Sequence, residues 1–287
     1  VSEGRAQATI EAIGQAFTAR GTVRLLDVHS DADHHRSVFT LTGGQGQLCA
    51  ALLDGARAAV ERIDVGVDRE PADIGEHPHV GAVDVMPVVY LDASQRGAAC
   101  AEALVVAHEI GQRLAVPVFL YGELAEGRSR AELRRGGVAG LSERMRAGEL
   151  RPDFGPPRLH STAGATLVAA REPLVAFNLE LAAPAGVQDA RCIAGLIREG
   201  GAEGLPGVRA IGVGLRGGSV GQVSMNLERP LELPLRAVVE AVRRHAEVAG
   251  AELVGLAPRA ALEGFPTDVT LSGFDAGAHV IENALGF

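Results

Sequence analysis

The chain has 287 residues and a formal net charge of -9, and all 27 of its basic residues are Arg. Without Lys there is no Schiff-base amine, no P-loop lysine and no kinase strand lysine. Lysine-anchored cofactor chemistry and the common nucleotide-phosphate sites are therefore excluded in their standard forms. The acidic balance, the absence of Trp and an aromatic content of 3% argue against nucleic-acid binding, which needs positive charge and stacking platforms.

Other bounds are ordinary. Hydrophobic residues make up 47% and charged residues 22%, the composition of a folded chain with one large domain or two small ones. No apolar run approaches the ~20 residues that cross a bilayer, so no membrane association is expected. The start, Val1-Ser2-Glu3-Gly4-Arg5, has no signal-peptide core and no Met, and the numbering is expected to begin inside a longer chain. Cys49, Cys100 and Cys192 are widely spaced and odd in number, which points to free thiols in a reducing, cytoplasmic setting.

Apolar periodicity orders the first half. Residues 6–19 carry Ile10, Ile13 and Phe17 at helical spacing. Thr22–His29 reads as a strand, Ser30–His35 as a polar turn, and Arg36–Thr42 as a second strand. Gly43–Gly46 is a plain turn or, ahead of a helix, an anion site built from backbone N–H groups. Leu48–Ile63 is helical. Ala82–Leu91 is a strand that Pro87 confines to an edge or a bulge. Ser94–Leu114 is helical, and Val116–Tyr121 is a strand. The Arg-rich segment 128–150 reads as solvated helix and loop, and Pro152–Gly164 as a Gly/Pro-rich loop.

The pattern then restarts. Strands are predicted at Leu174–Leu181, Val208–Leu215, Val220–Leu227 and Glu252–Leu256, with helices at Gln188–Arg198 and Leu235–Val248. That order, β-α-β-β-α-β, is the split βαβ unit of ferredoxin-like folds. The first half shows the same order with its leading strand missing. The expected fold is α+β: two tandem ferredoxin-like sandwiches with antiparallel sheets, residues 1–171 and 172–287.

Candidate chemistry concentrates in the first half. Seven of nine His lie at or before position 160. In Gly75-Glu76-His77-Pro78-His79, Pro78 restricts the residue before it and so fixes an imidazole rigidly in a loop, where it can act as general acid or base near neutral pH. Two alternatives stand beside this: a surface loop with solvated His, and a metal site from His77, His79 and His34 or His35 with Glu76 or Asp84. No metal-binding signature supports the last, and no metal is expected. Gly212-Val213-Gly214-Leu215-Arg216-Gly217 matches a dinucleotide fingerprint, but an alternating segment follows it, so it reads as a hairpin turn.

Taken together, segments along the chain resemble the glutamate formiminotransferases. They include Ser2-Glu3-Gly4-Arg5, His35-Arg36-Ser37-Val38, Gly75-Glu76-His77-Pro78, Gly81-Ala82-Val83-Asp84-Val85, Val116–Glu123, Pro152–Pro156, Ala176-Phe177-Asn178 and Gln222–Leu227. The resemblance implies two ferredoxin-like subdomains with folate held in a cleft between them, and His77 as the catalytic acid/base. It implies folate contacts from the loop Gly155, Pro156, Pro157, Arg158, Leu159, His160, Ser161, Thr162, Ala163 and Gly164. The implied substrates are tetrahydrofolate, as co-substrate, and N-formiminoglutamate, and the pathway is histidine degradation.

Within that reading Glu76 or Asp84 stabilises the cationic amidine, or each caps a loop or pairs with a nearby Arg. Arg36 and Arg171 are candidate forks for substrate carboxylates, with a solvated surface role as the alternative for each. The expected partners are small molecules, with a homodimer and a separate cyclodeaminase also allowed, since 287 residues leave no room for a fused one. Three positions depart from the family pattern: Ala163 stands where mammalian members have Trp, His29 where they have Asp, and His79 where they have Arg. The alternatives are a folate-binding protein without transferase activity and a transferase that uses a formyl donor.

Overall fold

A computed structural model describes residues 1–66, 79–215 and 218–286. The chain divides into two compact units, Val1–Glu172 and Pro173–Phe287. Both mix helices and sheets, so the class is α+β.

The first unit opens with α1 (Gln7–Thr18), whose buried stripe is Ile10, Ile13, Gly14 and Phe17. Strands β1 (Val23–Asp31) and β2 (Arg36–Gly43) pair antiparallel, with a bulge between Leu25 and Asp27. Helix α2 (Leu48–Val60) follows. No side chain of its own N-cap residue caps it. One of its free N–H groups, that of Cys49, is satisfied from α3 (Arg96–Arg113), where the buried Glu102 carboxylate accepts it at 2.9 Å together with Gly46 N–H of the preceding turn at 2.8 Å. The anion at the Gly43–Gly46 turn is therefore one of the chain's own carboxylates, placed where the helix dipole favours it.

Strand β3 (Val85–Val89) precedes α3, and β4 (Val118–Leu120) follows it. Helices α4 (Arg130–Arg134) and α5 (Gly137–Arg146) lead to β5 (Thr166–Arg171). The sheet order is β3-β5-β4, and both pairings are parallel. Pro87 lies on β3, an edge as predicted.

Two expectations change here. The first unit holds a two-stranded antiparallel ribbon and a three-stranded parallel sheet, not one antiparallel sheet. Its central strand, β5, has no counterpart in the sequence reading. The strand is buried on both faces: Val168 and Ala170 enter one core, Leu167 and Ala169 another. A strand buried on both sides shows a continuous apolar run rather than alternation, which hides it from a period-2 search.

The second core also revises the Arg-rich segment 128–150. Leu133, Leu141 and Met145 are buried there against Val80, Phe119 and Tyr121. At the chain start, Val1 exchanges two backbone bonds with Ser37, at 2.8 and 3.0 Å, and Ser2 N–H reaches Ala82 O at 2.9 Å. These bonds tie the ribbon to the segment that leads into β3.

The second unit carries β6 (Val175–Leu181), α6 (Val187–Ile197), β7 (Val208–Leu215), β8 (Val220–Leu227), α7 (Leu235–Arg243) and β9 (Val248–Val254). The segments α8 (Arg259–Leu262), β10 (Leu271–Ser272), α9 (Ala276–His279) and α10 (Ile281–Leu285) complete it. The sheet order is β10-β9-β6-β8-β7, with β6 antiparallel to both neighbours and β10 parallel to β9. The β-α-β-β-α-β order is the predicted one, and β7 and β8 form the expected hairpin, but Gly212 and Gly214 lie in the body of β7, paired with Val223 and Gly221, and not in the turn. Gly212 serves packing: a Cβ there would lie 2.2 Å from the Arg191 nitrogen of α6. One core packs Phe177, Leu179, Val223 and Met225 from the strands with Ile193, Ile197, Val238 and Val242 from the helices.

Glu102→Ala strips α2 of its buried acceptor and leaves two donors unmatched. The expected loss is about 2–3 kcal/mol in urea denaturation, and a loss below about 0.5 kcal/mol would remove the cap from the account.

Candidate functional site

The loop Gly155–Gly164 is built from its ends inward. At its start, Val118 N–H donates to Phe154 O at 2.9 Å, and Asp153 accepts Leu120 N–H at 2.7 Å. Arg128 donates to both oxygens of Asp153, at 3.0 and 2.8 Å. At its end, His160 and Gly164 exchange backbone bonds of 3.0 and 3.1 Å. The His160 ring closes that turn, its Nδ1 accepting Ala163 N–H at 3.1 Å, so the neutral ring carries its proton on Nε2.

This hairpin grips the chain on both sides of residues 67–78. Upstream, Val65 N–H donates to Thr162 O at 2.7 Å. Downstream, Ala165 N–H donates to Val80 O and Ala82 N–H to Ala163 O, each at 2.9 Å. Gly81 is required at the crossing, because a Cβ there would lie 1.8 Å from Ala165 O. His77 and Glu76 themselves lie outside the described residues, as do Gly75 and Pro78.

Asp84 fixes the same exit. It is buried, its Oδ1 accepts Val80 N–H at 2.8 Å, and its Oδ2 receives a short bond from Arg134 of α4. Its main-chain oxygen accepts Leu167 N–H at 3.0 Å. Of the two roles left open for Asp84, these contacts are those of a loop cap paired with an Arg. Arg134 was not singled out in the sequence. The signal was the apolar spacing of Leu133, Leu141 and Met145, which marks a packed segment.

The other candidates are dispersed. Arg36 begins β2 opposite Asp31. Arg171 ends β5 opposite Val89, about 16 Å of strand from the hairpin end at Thr166. Its Nη1 donates to Glu172 O at 2.8 Å. His29 lies on β1 opposite Val38. His34 is buried, with its N–H on Asp31 Oδ1 at 2.6 Å. His35 adopts a φ of 49°, and its Nδ1 accepts Gly4 N–H at 3.1 Å. Glu3 accepts Arg5 N–H at 2.8 Å and Ala6 N–H at 2.9 Å at the start of α1. The Ser-Glu-Gly-Arg and His-Arg-Ser-Val segments thus meet in one set of hydrogen bonds. Among the described residues no group of three or more His, Cys, Asp or Glu is placed to hold a metal ion.

The Tyr121-Gly122-Glu123 segment ties down the end of β3. Glu123 accepts the Tyr90 hydroxyl and Arg96 Nε, each at 2.6 Å, and these donors hold its carboxyl below the usual carboxylate range. Burial, then the bond to Glu123, pushes the Tyr90 phenol up to about 12.

Comparison with known proteins places the whole chain in a family. Residues 1–171 match the model of the formiminotransferase domain, N-terminal subdomain, and residues 176–264 match that of the formiminotransferase domain. The chain belongs to the formiminotransferase family. As a family member it is a transferase. It is 35% identical to a glutamate formimidoyltransferase of Streptococcus pyogenes, over 99% of this chain and 96% of that one. It is 33% identical to a glutamate formimidoyltransferase of Thermoplasma acidophilum, over 96% and 92%. It is 38% identical to the formimidoyltransferase-cyclodeaminase of Gallus gallus over 91% of this chain, which spans 49% of that protein. No helix among the described residues is long and apolar enough to cross a membrane.

Two outcomes check this geometry. Arg134→Met leaves the Asp84 carboxylate buried and uncompensated, so unfolding free energy falls by about 3 kcal/mol, and adding Asp84→Asn recovers most of it. An additive double variant would show that the pair does not act as a unit. The raised pKa of Tyr90 means that the unfolded chain loses this proton first, near pH 10, while the folded chain keeps it to about 12. Stability from this group is therefore complete below pH 10 and lost on the way to about 12. Tyr90→Phe is expected to flatten the stability curve over that interval, and an unchanged slope would assign it to other groups.

Proposed function

We propose that the chain transfers a formimino group from N-formiminoglutamate to N5 of tetrahydrofolate, in histidine degradation, with His77 as general acid/base. The observation that carries this reading is the grip of the 160–165 hairpin on both sides of the segment that contains Gly75-Glu76-His77-Pro78. That grip joins the two stretches that family resemblance assigns to folate and to proton transfer. The full-length likeness to glutamate formimidoyltransferases supports the donor and the reaction type.

In this proposal N5 of the folate attacks the amidine carbon, forming a C–N bond and a tetrahedral intermediate. His77 takes the proton that N5 loses and returns it to the glutamate nitrogen as its C–N bond breaks. One imidazole serves both steps, an effect of roughly 10²–10⁴-fold. Holding the two substrates together supplies the entropic share. Glu76 is assigned to stabilising the cationic amidine, while Asp84 contributes by fixing the exit of the segment at Val80. Arg36 and Arg171 are the forks for substrate carboxylates. Residues Gly155–Gly164 form the folate contact. No metal enters any step.

The test is a formimino-transfer assay on His77→Ala. Turnover should fall by about 10²–10⁴-fold while tetrahydrofolate still raises the melting temperature. Retained turnover removes His77 from the mechanism. A wild-type chain that binds folate but transfers nothing from formimino or formyl donors would be a folate-binding protein instead.

A further inference from the structure

The turn that ends the 155–164 loop is held by a side chain that can gain a proton. His160 Nδ1 accepts Ala163 N–H at 3.1 Å and Thr162 N–H at 3.4 Å, and Thr162 Oγ1 also lies at 3.4 Å. An Asn or Asp holds a turn in the same way, through a side-chain oxygen one bond beyond Cγ, where His carries Nδ1. The difference is the lone pair. An Asn carbonyl accepts at every ordinary pH, whereas Nδ1 accepts only in the neutral ring and becomes a donor in the imidazolium.

The same two residues grip residues 67–78. Thr162 O accepts Val65 N–H, and Ala163 O accepts Ala82 N–H. Each residue therefore donates to the imidazole and accepts from one flank of the gripped segment. A proton on Nδ1 sets N–H against N–H and leaves the donor of Ala163, a residue 1% exposed, without its acceptor. The turn cannot adjust inward, since a Cβ at Gly164 would already come within 2.3 Å of Val80 O on the downstream flank. The ring is half-buried, so solvent protons reach it.

We propose that His160 is a proton-sensitive clasp: the neutral ring holds the hairpin on both flanks of the segment that contains His77, and protonation at Nδ1 releases it. His160 is a positioning residue that acts through Thr162 and Ala163. The closed turn is favoured at the alkaline side of the interval in which imidazoles charge, roughly pH 5–8, and is lost at the acid side. Asp64 lies upstream, accepting Gly66 N–H beside Ser161, and its carboxylate favours the charged ring. Arg158 on the loop itself and Arg134, which is paired with Asp84 downstream, oppose it. His79, next to Val80, is a second imidazole, so a variant at 160 alone tells the two apart.

The experiment follows amide exchange of residues 155–165 on the whole chain at about pH 7.5 and about pH 5.5, corrected for the intrinsic pH dependence of exchange. In wild type, protection at Thr162 and Ala163 should fall about 10-fold or more in acid. In His160→Asn, which keeps an acceptor throughout, protection should agree at the two pH values within about 2-fold. If wild-type protection does not change with pH, or if His160→Asn loses it in acid as wild type does, the inference fails and the proposed function is untouched. The consequence for the reaction rests on the proposed function. In the transfer assay the KM for tetrahydrofolate should rise in acid for wild type and stay level for His160→Asn, while kcat keeps the acid limb assigned to His77 in both. A level KM in wild type overturns the coupling of the clasp to folate. If wild type transfers nothing while the exchange result holds, the proposed function fails and the clasp stands.

Discussion

The first unit depends on three backbone bonds: Val65 to Thr162, Ala165 to Val80 and Ala82 to Ala163. Each is made between main-chain groups, so each survives a change of side chain that keeps the backbone path. Residue 163 contributes its carbonyl to Ala82 and its N–H to His160, and its own side chain is buried and small. The constraint falls on Gly81 instead, where any Cβ would collide with the carbonyl of Ala165.

The missing lysines acquire a structural sense from the same region. Arg144 donates at 3.1 Å to Glu132 O, at 2.7 Å to Leu133 O and at 3.2 Å to Arg135 O, collecting the carbonyls at the end of α4. Arg128 bridges both oxygens of Asp153 at the start of the 155–164 loop, and Arg134 reaches Asp84 at its far side. A planar fork with five donors can serve several acceptors at fixed angles, which a point-charge ammonium on a flexible stem does less well. Arg144 thus fixes backbone directly, and Arg128 and Arg134 do so through the carboxylates of Asp153 and Asp84, which accept Leu120 N–H and Val80 N–H. Arg-only composition costs this chain no structural function.

Legibility in the sequence followed the physics of burial. The strands at 208–215 and 220–227 were readable because one face is apolar and the other polar, so period 2 survives. Strand β5 was not, because both faces are buried. Strand β9 was read partly as the tail of a helix: Val248, Ala249 and Ala251 carry no period of their own, and only pairing with β6 fixes them as strand. The turn at 155–164 was legible because Gly and Pro mark it locally, whereas Asp84, between Val83 and Val85, is paired with Arg134 from 50 positions away. Arg171 fitted the same pattern, yet the strand carries it away from the hairpin. The Asn178–Glu252 pair spans 74 positions and needs the register of a finished sheet, which no local pattern contains.

The two units therefore offer chemistry in different ways. A parallel sheet whose central strand is buried on both sides has no face to give to a ligand, and its strand ends and loops must carry any reactive group. That is where Asp84, the 160–165 hairpin and both flanks of residues 67–78 are found. An antiparallel sheet with helices on one side has a second set of positions, which here includes the buried polar Asn178 and Gln222, and alternation lets each strand add one polar residue per step without disturbing the core. Loops orient a group through a few bonds and can move it, whereas a strand row fixes spacing at the 4.7–4.9 Å between strands, roughly, and cannot. Proton transfer, which requires a group to approach and withdraw, suits the first kind of support.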